Sequence, residues 1–556
     1  MAFLSRSQAA GNREPADRPA KDRRRRSQSG ETRWGHRPLF RPAKATARLT
    51  GRIEEGTIGP SMRGRNRAAL WIVPALALVL ALPGCGGPSK PKAYLVVTFD
   101  VEDYISPESE GIDEIPKWLA ETMTEEGVTG TFFVIGEKAR ALEARGRSDV
   151  IAAMARHDIG SHTNFGSIHP TVTERLETAG WKDGVREMLE RESAGIADLE
   201  HIFRVPVTTL ARHGGSYGPQ LVAALGTMGA GYQGSPASLP GHDVVWFCNA
   251  LNFSAQYSGF DDAYYRDDLF APVFEKLKRE LPGRAREAGV LALFAGHPTK
   301  IRAEEFWDLN YYDGKNTAPG DWRMPPLRAR ESMATARKNF RRMMRWLKGR
   351  KDIEITTYRE LMNVYGAQKE TLERSELRAV AAGTLESRAL TPSEDFSPAE
   401  AFAGLARAIS GYAAKGRLPE SLETQHPSGP LEMPPAEPGL SRVGLEGVYA
   451  LAWAADEHVR RNGALPAVLD LDGAGIGAGS LFALFSQAYL DMDSGTPRPE
   501  YPIPEFEPYP AGQETRILDE IAGYKSWPVH RPDLDMSGIV EFTRLQLWTL
   551  KPAHRS

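Results

Sequence analysis

The chain has 556 residues, of which 41% are hydrophobic and 25% charged; packed cores are possible and wholesale disorder is excluded. Its net charge of −3 hides an asymmetry, because residues 1–84 carry +11 and residues 85–556 carry −14. The acidic body excludes nucleic acid as the main partner, and two cysteines, Cys85 and Cys248, are too few for a disulfide framework or a thiolate zinc cluster.

Residues 1–61, with the run Arg23–Arg26, read as a solvated basic tail. Ala68–Leu82 is an apolar run of 15 residues containing Pro74 and preceded by Arg63, Arg65 and Arg67. It falls short of the roughly 20 residues of a membrane span. Basic flank, short apolar run and the small residues after it describe a secretory signal. The ending Leu82-Pro83-Gly84-Cys85 resembles a bacterial lipobox. That resemblance implies a signal peptide over residues 62–84, lipidation of Cys85, and a mature protein exported and lipid-anchored to the cell envelope. A signal peptide begins near its basic residues, so translation is expected to start at Met62, with residues 1–61 untranslated. Residues 85–92 form a tether.

Strand-like and helix-like stretches then alternate. Ala93–Phe99 is a buried strand, Asp113–Glu126 a helix, Thr129–Ile135 a strand and Glu137–His157 helical. Asp158–His162 is a brief strand, Thr171–Leu199 helical, Ile202–Val207 a strand and Gly218–Met228 a helix. Val244–Phe253 reads as a strand, followed by helical residues to about position 288. Val290–Ala295 is a strand, Arg328–Lys348 a basic helix, Asp352–Thr357 the last strand and Tyr358–Tyr365 the last helix. Such alternation implies a parallel sheet with helices outside it, open or closed into a barrel, over residues 93–365.

Residues 366–394 read as a linker, and residues 395–556 as a mainly helical domain containing an internal repeat. Phe396–Leu422 matches Val443–Leu469 at an offset of 47 residues. Phe402 meets Tyr449, Gly416 meets Gly463, and Leu418-Pro419 meets Leu465-Pro466. Each copy is an amphipathic helix stopped by glycine with proline soon after. Ser526–Ala553 is a candidate third element, because two copies are few for a self-supporting array.

The chemistry-bearing residues fall at strand ends. The first strand runs into Asp100-Val101-Glu102-Asp103, three carboxylates that also suit a helix cap or a solvated turn. After the third strand stand His162 and His169 on one loop, with Gly166 between them to permit a bend. Two histidines on a loop and a carboxylate at another strand end can form a facial two-histidine, one-carboxylate metal site with open positions. Arg204-Val205-Pro206 and Leu291–His297 complete the set. In a barrel-like fold these ends converge on one face.

Over about residues 90–365 the sequence resembles the polysaccharide deacetylase family of carbohydrate esterases. Four segments carry the likeness: Thr98–Asp103, His162–Pro170, Arg204–Pro206 with Ser216–Gln220 downstream, and Leu291–His297. The resemblance implies a deformed (β/α) barrel and removal of N-acetyl groups from an acetylated envelope or extracellular polysaccharide. It implies a divalent metal, zinc first, held by His162, His169 and either Glu102 or Asp103. It makes Asp100 the general base, Arg204 the residue orienting it, and His297 the general acid.

Two departures from the family pattern stand out. The histidines are seven apart rather than the usual four, so Asn164 or Ser167 could line the site. The acids that usually support the acid histidine correspond to Asn249 and Asn252 on the strand Val244–Phe253. Amides cannot stabilise an imidazolium as carboxylates do, so a lowered His297 pKa is expected unless an acid such as Asp243 or Asp308 substitutes. These changes leave two further readings open: a catalytically impaired glycan-binding lipoprotein, and an O-acetyl esterase, whose alkoxide leaving group needs the acid less. Cys248 is expected to be buried and inert. Glu304–Gly314 would form either an aromatic wall for a sugar or a packed lid. The repeats loosely resemble pseudomurein-binding repeats, which implies wall tethering; a purely structural helical appendage is the reading slightly preferred.

Overall fold

The computed structural model describes residues 92–556 except 255, 288 and 513. The basic tail, the signal peptide, Cys85 and nearly all of the tether lie outside the described residues.

Strand β1 (Ala93–Val101) leads to α1 (Glu114–Glu126), β2 (Thr131–Val134), α2 (Gly136–Ala144), α3 (Ser148–Met154) and β3 (Asp158–Ser161). Next come α4 (Val172–Leu176), α5 (Trp181–Phe203), β4 (Thr209–Ala211), α6 (Pro219–Met228) and β5 (Gly231–Gln233). A hairpin of β6 (Val244–Phe247) and β7 (Ala250–Phe253) precedes β8 (Gln256–Tyr257) and α7 (Asp267–Arg286). Then follow β9 (Val290–Phe294), α8 (Pro298–Arg302), α9 (Ser332–Lys348), β10 (Ile353–Thr356) and α10 (Tyr358–Tyr365). The strands assemble in the order β17-β6-β7-β5-β4-β3-β2-β1-β9-β8, with β10 beside β1; β17 (Lys551–Pro552) arrives from the far C-terminus. All neighbours run parallel except β6 with β7 and β17 with β6. This mixed sheet, ringed by helices, has the architecture of the deformed barrel that the sequence led us to expect.

Alternation along β1 explains the placement of the site. Leu95, Val97, Phe99 and Val101 face the helices, in a core with Trp118, Leu142, Leu199, Phe270 and Phe340. Val96 faces the other way, into a cluster with Phe133, Ala292, Tyr358 and Leu361. With a side-chain period of two, Thr98, Asp100 and Glu102 share the face of Val96. Helix α10, started by a Thr357–Glu360 capping box, fills one end of that face. It meets the first residues of β2 and β3: the Tyr358 N–H donates to Thr131 and the Arg359 N–H to Asp158. The opposite, C-terminal end of the parallel strands is left to Asp100 and Glu102.

Two expected elements differ in ways that matter. Ile202–Val207 is not a strand: residues to Phe203 finish α5, and Arg204 caps it in the left-handed region at φ 59°. Val244–Phe253 is not one strand either. It folds back at Cys248 and Asn249, which have φ of 50° and 59°. Cys248 is buried, as expected, and burial pushes its thiol well above the usual range.

The remainder is built from β11 (Thr371–Glu373), α11 (Arg374–Ser387), α12 (Pro398–Lys415), β12 (Ser421–Glu423), β13 (Arg442–Gly444) and α13 (Leu445–Asn462). It continues through β14 (Val468–Leu471), β15 (Ala474–Gly477), α14 (Ala478–Asp493), β16 (Glu500–Pro502), α15 (Glu514–Gly523) and α16 (Ser537–Gln546) to β17. The stretch read as a linker therefore carries β11 and α11, with Leu372, Leu377 and Ala381 buried. Helices α12 and α13 both have 18 residues and end at Gly416 and Gly463 in the left-handed region, as the 47-residue repeat requires. Antiparallel pairs bracket the helices, β11 with β12 around α11 and α12 and β13 with β16 around α13 and α14, while β14 and β15 form a hairpin between α13 and α14. Ser526–Ala553 is not a third copy: α16 packs among α6 and β6 residues, and β17 joins the main sheet. The described residues, 92–556, accordingly form one compact unit.

A buried ion pair clasps the last strand. The Lys551 ammonium donates to Glu400 at 2.8 Å, with both side chains at most 3% exposed. Removing one partner of such a pair costs about 3–5 kcal/mol. Lys551→Ala is expected to lower the urea-unfolding free energy by about 3 kcal/mol, since His426 still bonds Glu400 at 2.5 Å. Lys551→Met, measured beside it, shows how much of that loss is packing.

Candidate active site and metal centre

Glu102 is the hub of the site. Its Oε1 faces His162 Nε2 at 3.0 Å, His213 Nδ1 at 3.3 Å and His297 Nε2 at 3.5 Å. Its Oε2 accepts from the Trp307 indole N–H at 3.0 Å. Asp100 Oδ2 lies 3.5 Å from His162 Nε2 and 3.8 Å from His297 Nε2. Strand β1 supplies both carboxylates, the end of β3 His162, the end of β4 His213 and the end of β9 His297.

The donor set fits a divalent cation. His162 donates its Nδ1–H to the Ala211 carbonyl at 3.2 Å and turns Nε2 to Glu102; burial would lower its pKa, but Asp100 and Glu102 outweigh that and raise it. His213 Nε2 bonds Ser167 Oγ at 3.0 Å, and its Nδ1 is buried without a hydrogen-bond partner. One ligand atom each from Glu102, His162 and His213 can be chosen so that all lie within 4.8 Å of one another. Two imidazole nitrogens converge on one buried carboxylate, an arrangement that favours positive charge there, carried by protons or by a divalent ion. Two histidines and one acid also leave coordination positions open, and backbone and hydroxyl partners on the far nitrogens fix the rings, as ligand histidines require.

Several expected site residues are elsewhere. His169 is committed on both nitrogens, Nδ1 to Glu174 at 2.7 Å and Nε2–H to the Tyr311 carbonyl at 2.7 Å. It fastens its loop to residues 307–314, and the histidine that stands beside Glu102 and His162 is His213. Ser167, one of the two expected lining residues, does reach the centre through His213. Asp103 alternates to the other side of the chain, where it braces a turn by accepting from the Ile105 and Ser106 N–H groups, the Ser106 hydroxyl and the Thr299 hydroxyl. Of the two acids, Glu102 is the one that stands in a candidate metal-binding group with His162 and His213. Arg204 precedes β4 instead of following it, and its guanidinium sits by His201 on the exposed surface. It cannot orient Asp100.

His297, the expected general acid, is bonded to a residue the sequence reading missed. His297 donates its Nδ1–H to Asp261, whose two oxygens lie at 3.0 and 3.1 Å, and its backbone N–H to the same carboxylate at 2.7 Å. Gly296 makes room: at φ 109°, any Cβ there would sit 2.8 Å from Asp261 Oδ1. Asn249 instead bonds the His426 carbonyl, and Asn252 spans the hairpin to Phe247 and Ala250. Neither touches His297. Asp243 is bound to Val290 N–H at the start of β9. The Glu304–Gly314 segment is a packed support, with Trp307 and Tyr311 buried.

Charge follows this geometry. Burial alone would lower His297, but Asp261 and Glu102 outweigh it and hold the imidazolium well above the usual range. Burial would raise Glu102, yet the surrounding histidines keep it well below. Burial dominates at Asp100 and raises it, as it does at Asp308, pushed up to about 7 with help from Glu102. Burial also lowers His213, favouring the neutral imidazole a metal needs.

No family model and no curated protein matches the chain. Solved polysaccharide deacetylases resemble it in fold. One from Mycobacterium smegmatis, described as putative, is 16% identical with a TM-score of 0.33, covering 50% of this chain and 91% of that one. A probable one from Pseudomonas aeruginosa PAO1 is 12% identical with a TM-score of 0.32, covering 49% and 90%. A CE4 family pseudoenzyme from Bacillus anthracis is 12% identical with a TM-score of 0.27, covering 49% and 66%.

Proposed function

We propose that the chain is a metal-dependent hydrolase that removes N-acetyl groups from an envelope or extracellular polysaccharide. The observation that carries this is that Asp100 Oδ2 and Nε2 of the Asp261-supported His297 stand 3.8 Å apart beside Glu102 and His162.

A divalent cation, zinc first, held by those three residues would polarise the acetyl carbonyl and acidify water towards a pKa of about 7. Asp100 Oδ2 is placed to take a proton from the attacking water as its oxygen bonds the acetyl carbon. His297 Nε2, protonated and facing Asp100, is placed to deliver a proton to the amide nitrogen as the carbon–nitrogen bond breaks. Acetate and a free sugar amine are the products. Asp261 supplies the carboxylate that Asn249 and Asn252 lack, which favours an enzyme over a glycan-binding relative. The apolar run Ala68–Leu82 and the ending at Cys85 support export and lipid anchoring.

The test is acetate release from N-acetylglucosamine oligomers, run beside an O-acetylated xylan, with metal content measured per chain. Asp100→Asn is expected to keep its metal and lose about 10²–10⁴-fold in kcat, the usual worth of a general base. Release from the O-acetylated probe alone, or none from either by metal-loaded protein, would overturn the reading.

A further inference from the structure

The metal centre is roofed by a segment that lies far outside the catalytic sequence. The Trp527 ring stands edge-on to His213, with centroids 5.2 Å apart and planes at 84°. The backbone after His213 is bare so that Trp527 can approach. A Cβ on Gly214 would fall 2.2 Å from the indole, and one on Gly215 would fall 2.7 Å from the Tyr524 carbonyl oxygen. The segment is fastened on three sides. The Asp313 and Gly314 N–H groups donate to the Pro528 and Val529 carbonyls at 2.9 and 3.1 Å. The Arg531 N–H donates to Glu174 at 3.2 Å. The Arg212 guanidinium covers the Tyr524 ring at 4.1 Å.

Among the described residues the Ser167 hydrogen bond anchors His213 Nε2 and leaves the tilt of the ring about that bond to packing. Two rings do this at right angles: His162, with centroids 4.8 Å away at 86°, and Trp527. We propose that Trp527 is a positioning residue of the metal centre, aiming His213 Nδ1 at Glu102, and that Tyr524–Arg531 is thereby part of the active site. This rests on the reading that Glu102, His162 and His213 hold the ion.

The experiment uses the full chain with Trp527→Ala and Trp527→Phe. Zinc affinity is measured by chelator competition, and the cobalt(II)-loaded protein gives its visible d–d spectrum. Trp527→Ala is expected to bind zinc about 10–100-fold more weakly, the usual cost of losing a residue that orients a ligand, with an altered cobalt spectrum. Trp527→Phe should restore both. If Trp527→Ala does not fold, Trp527→Leu takes its place with the same two outcomes. Wild-type affinity and spectrum in the folded alanine or leucine variant would overturn the proposal. Absence of zinc binding in the wild type would instead defeat the metal reading beneath it.

Discussion

His213→Ala is expected to strip the chain of its divalent ion, whereas His169→Ala leaves it bound. The contrast is sharp because both histidines are partly or wholly buried and only their partners differ. His213 presents an unpartnered Nδ1 to Glu102; His169 has no nitrogen to spare. Loss of a ligand should exceed the 10–100-fold effect of losing an outer partner, so metal content should fall from one ion per chain to near zero, and acetate release by more than about 100-fold. His169→Ala should keep metal and turnover within a few-fold while melting at a lower temperature, because it unties its loop from Tyr311 and Glu174. Metal analysis of both variants after dialysis decides the matter. A metal-free His169→Ala, or a metal-replete His213→Ala, would restore the loop-histidine centre that the spacing first suggested.

That exchange shows how far the sequence could be read. Long apolar runs announce their strands, and β1, β2, β3 and β9 lie where periodicity puts them. Asp100, Glu102, His162 and His297 follow because each ends such a strand. The failures occur where a strand is very short. Only three residues, Thr209–Ala211, make β4, and the nearby Ile202–Val207 imitates a strand better than they do. Placing the strand at Ile202–Val207 drew Arg204 into the candidate site and hid Arg212-His213. The signal was present in the unclaimed His213-Gly214-Gly215, but glycines there answer to Trp527, more than 300 residues away, and no local rule reveals that. Asp261 was missed for a related reason. The hairpin turn at Cys248 and Asn249 splits an apparently continuous apolar run, so the supporting acid comes after β8, a strand of two residues.

The C-terminal half was legible as local structure only. The repeat of α12 and α13 is a matter of helix stop signals, which sequence carries well. Its docking is a matter of Lys551 meeting Glu400 and Trp527 meeting His213, which sequence does not carry. A boundary at residue 365 therefore looks reasonable in sequence and cuts through one structure.

Asp261→Asn is expected to move the alkaline limb of the pH–rate profile downward. The sign follows from the state in which His297 works. As general acid it must be protonated, so activity is present below its pKa and lost as pH rises through it. An unperturbed imidazole titrates near 6.5, and burial would take His297 lower still; Asp261 and Glu102 reverse that. A cation bound to Glu102 would spend that residue's charge, leaving Asp261 as the carboxylate that holds the proton. Asparagine can still accept one N–H from His297 but offers no charge. The variant should therefore lose its alkaline limb at lower pH than wild type, with kcat at pH 8 reduced about 10–100-fold, within the range general acid–base catalysis supplies. Metal content should be unchanged, because Asp261 touches none of the three ligands by hydrogen bond. Asn249→Ala is the companion measurement: it lies against His426 and should leave the limb where it is. An unmoved limb in Asp261→Asn, or a shifted one in Asn249→Ala, would return the acid-supporting role to the hairpin amides and with it the expectation of an enzyme working at low pH.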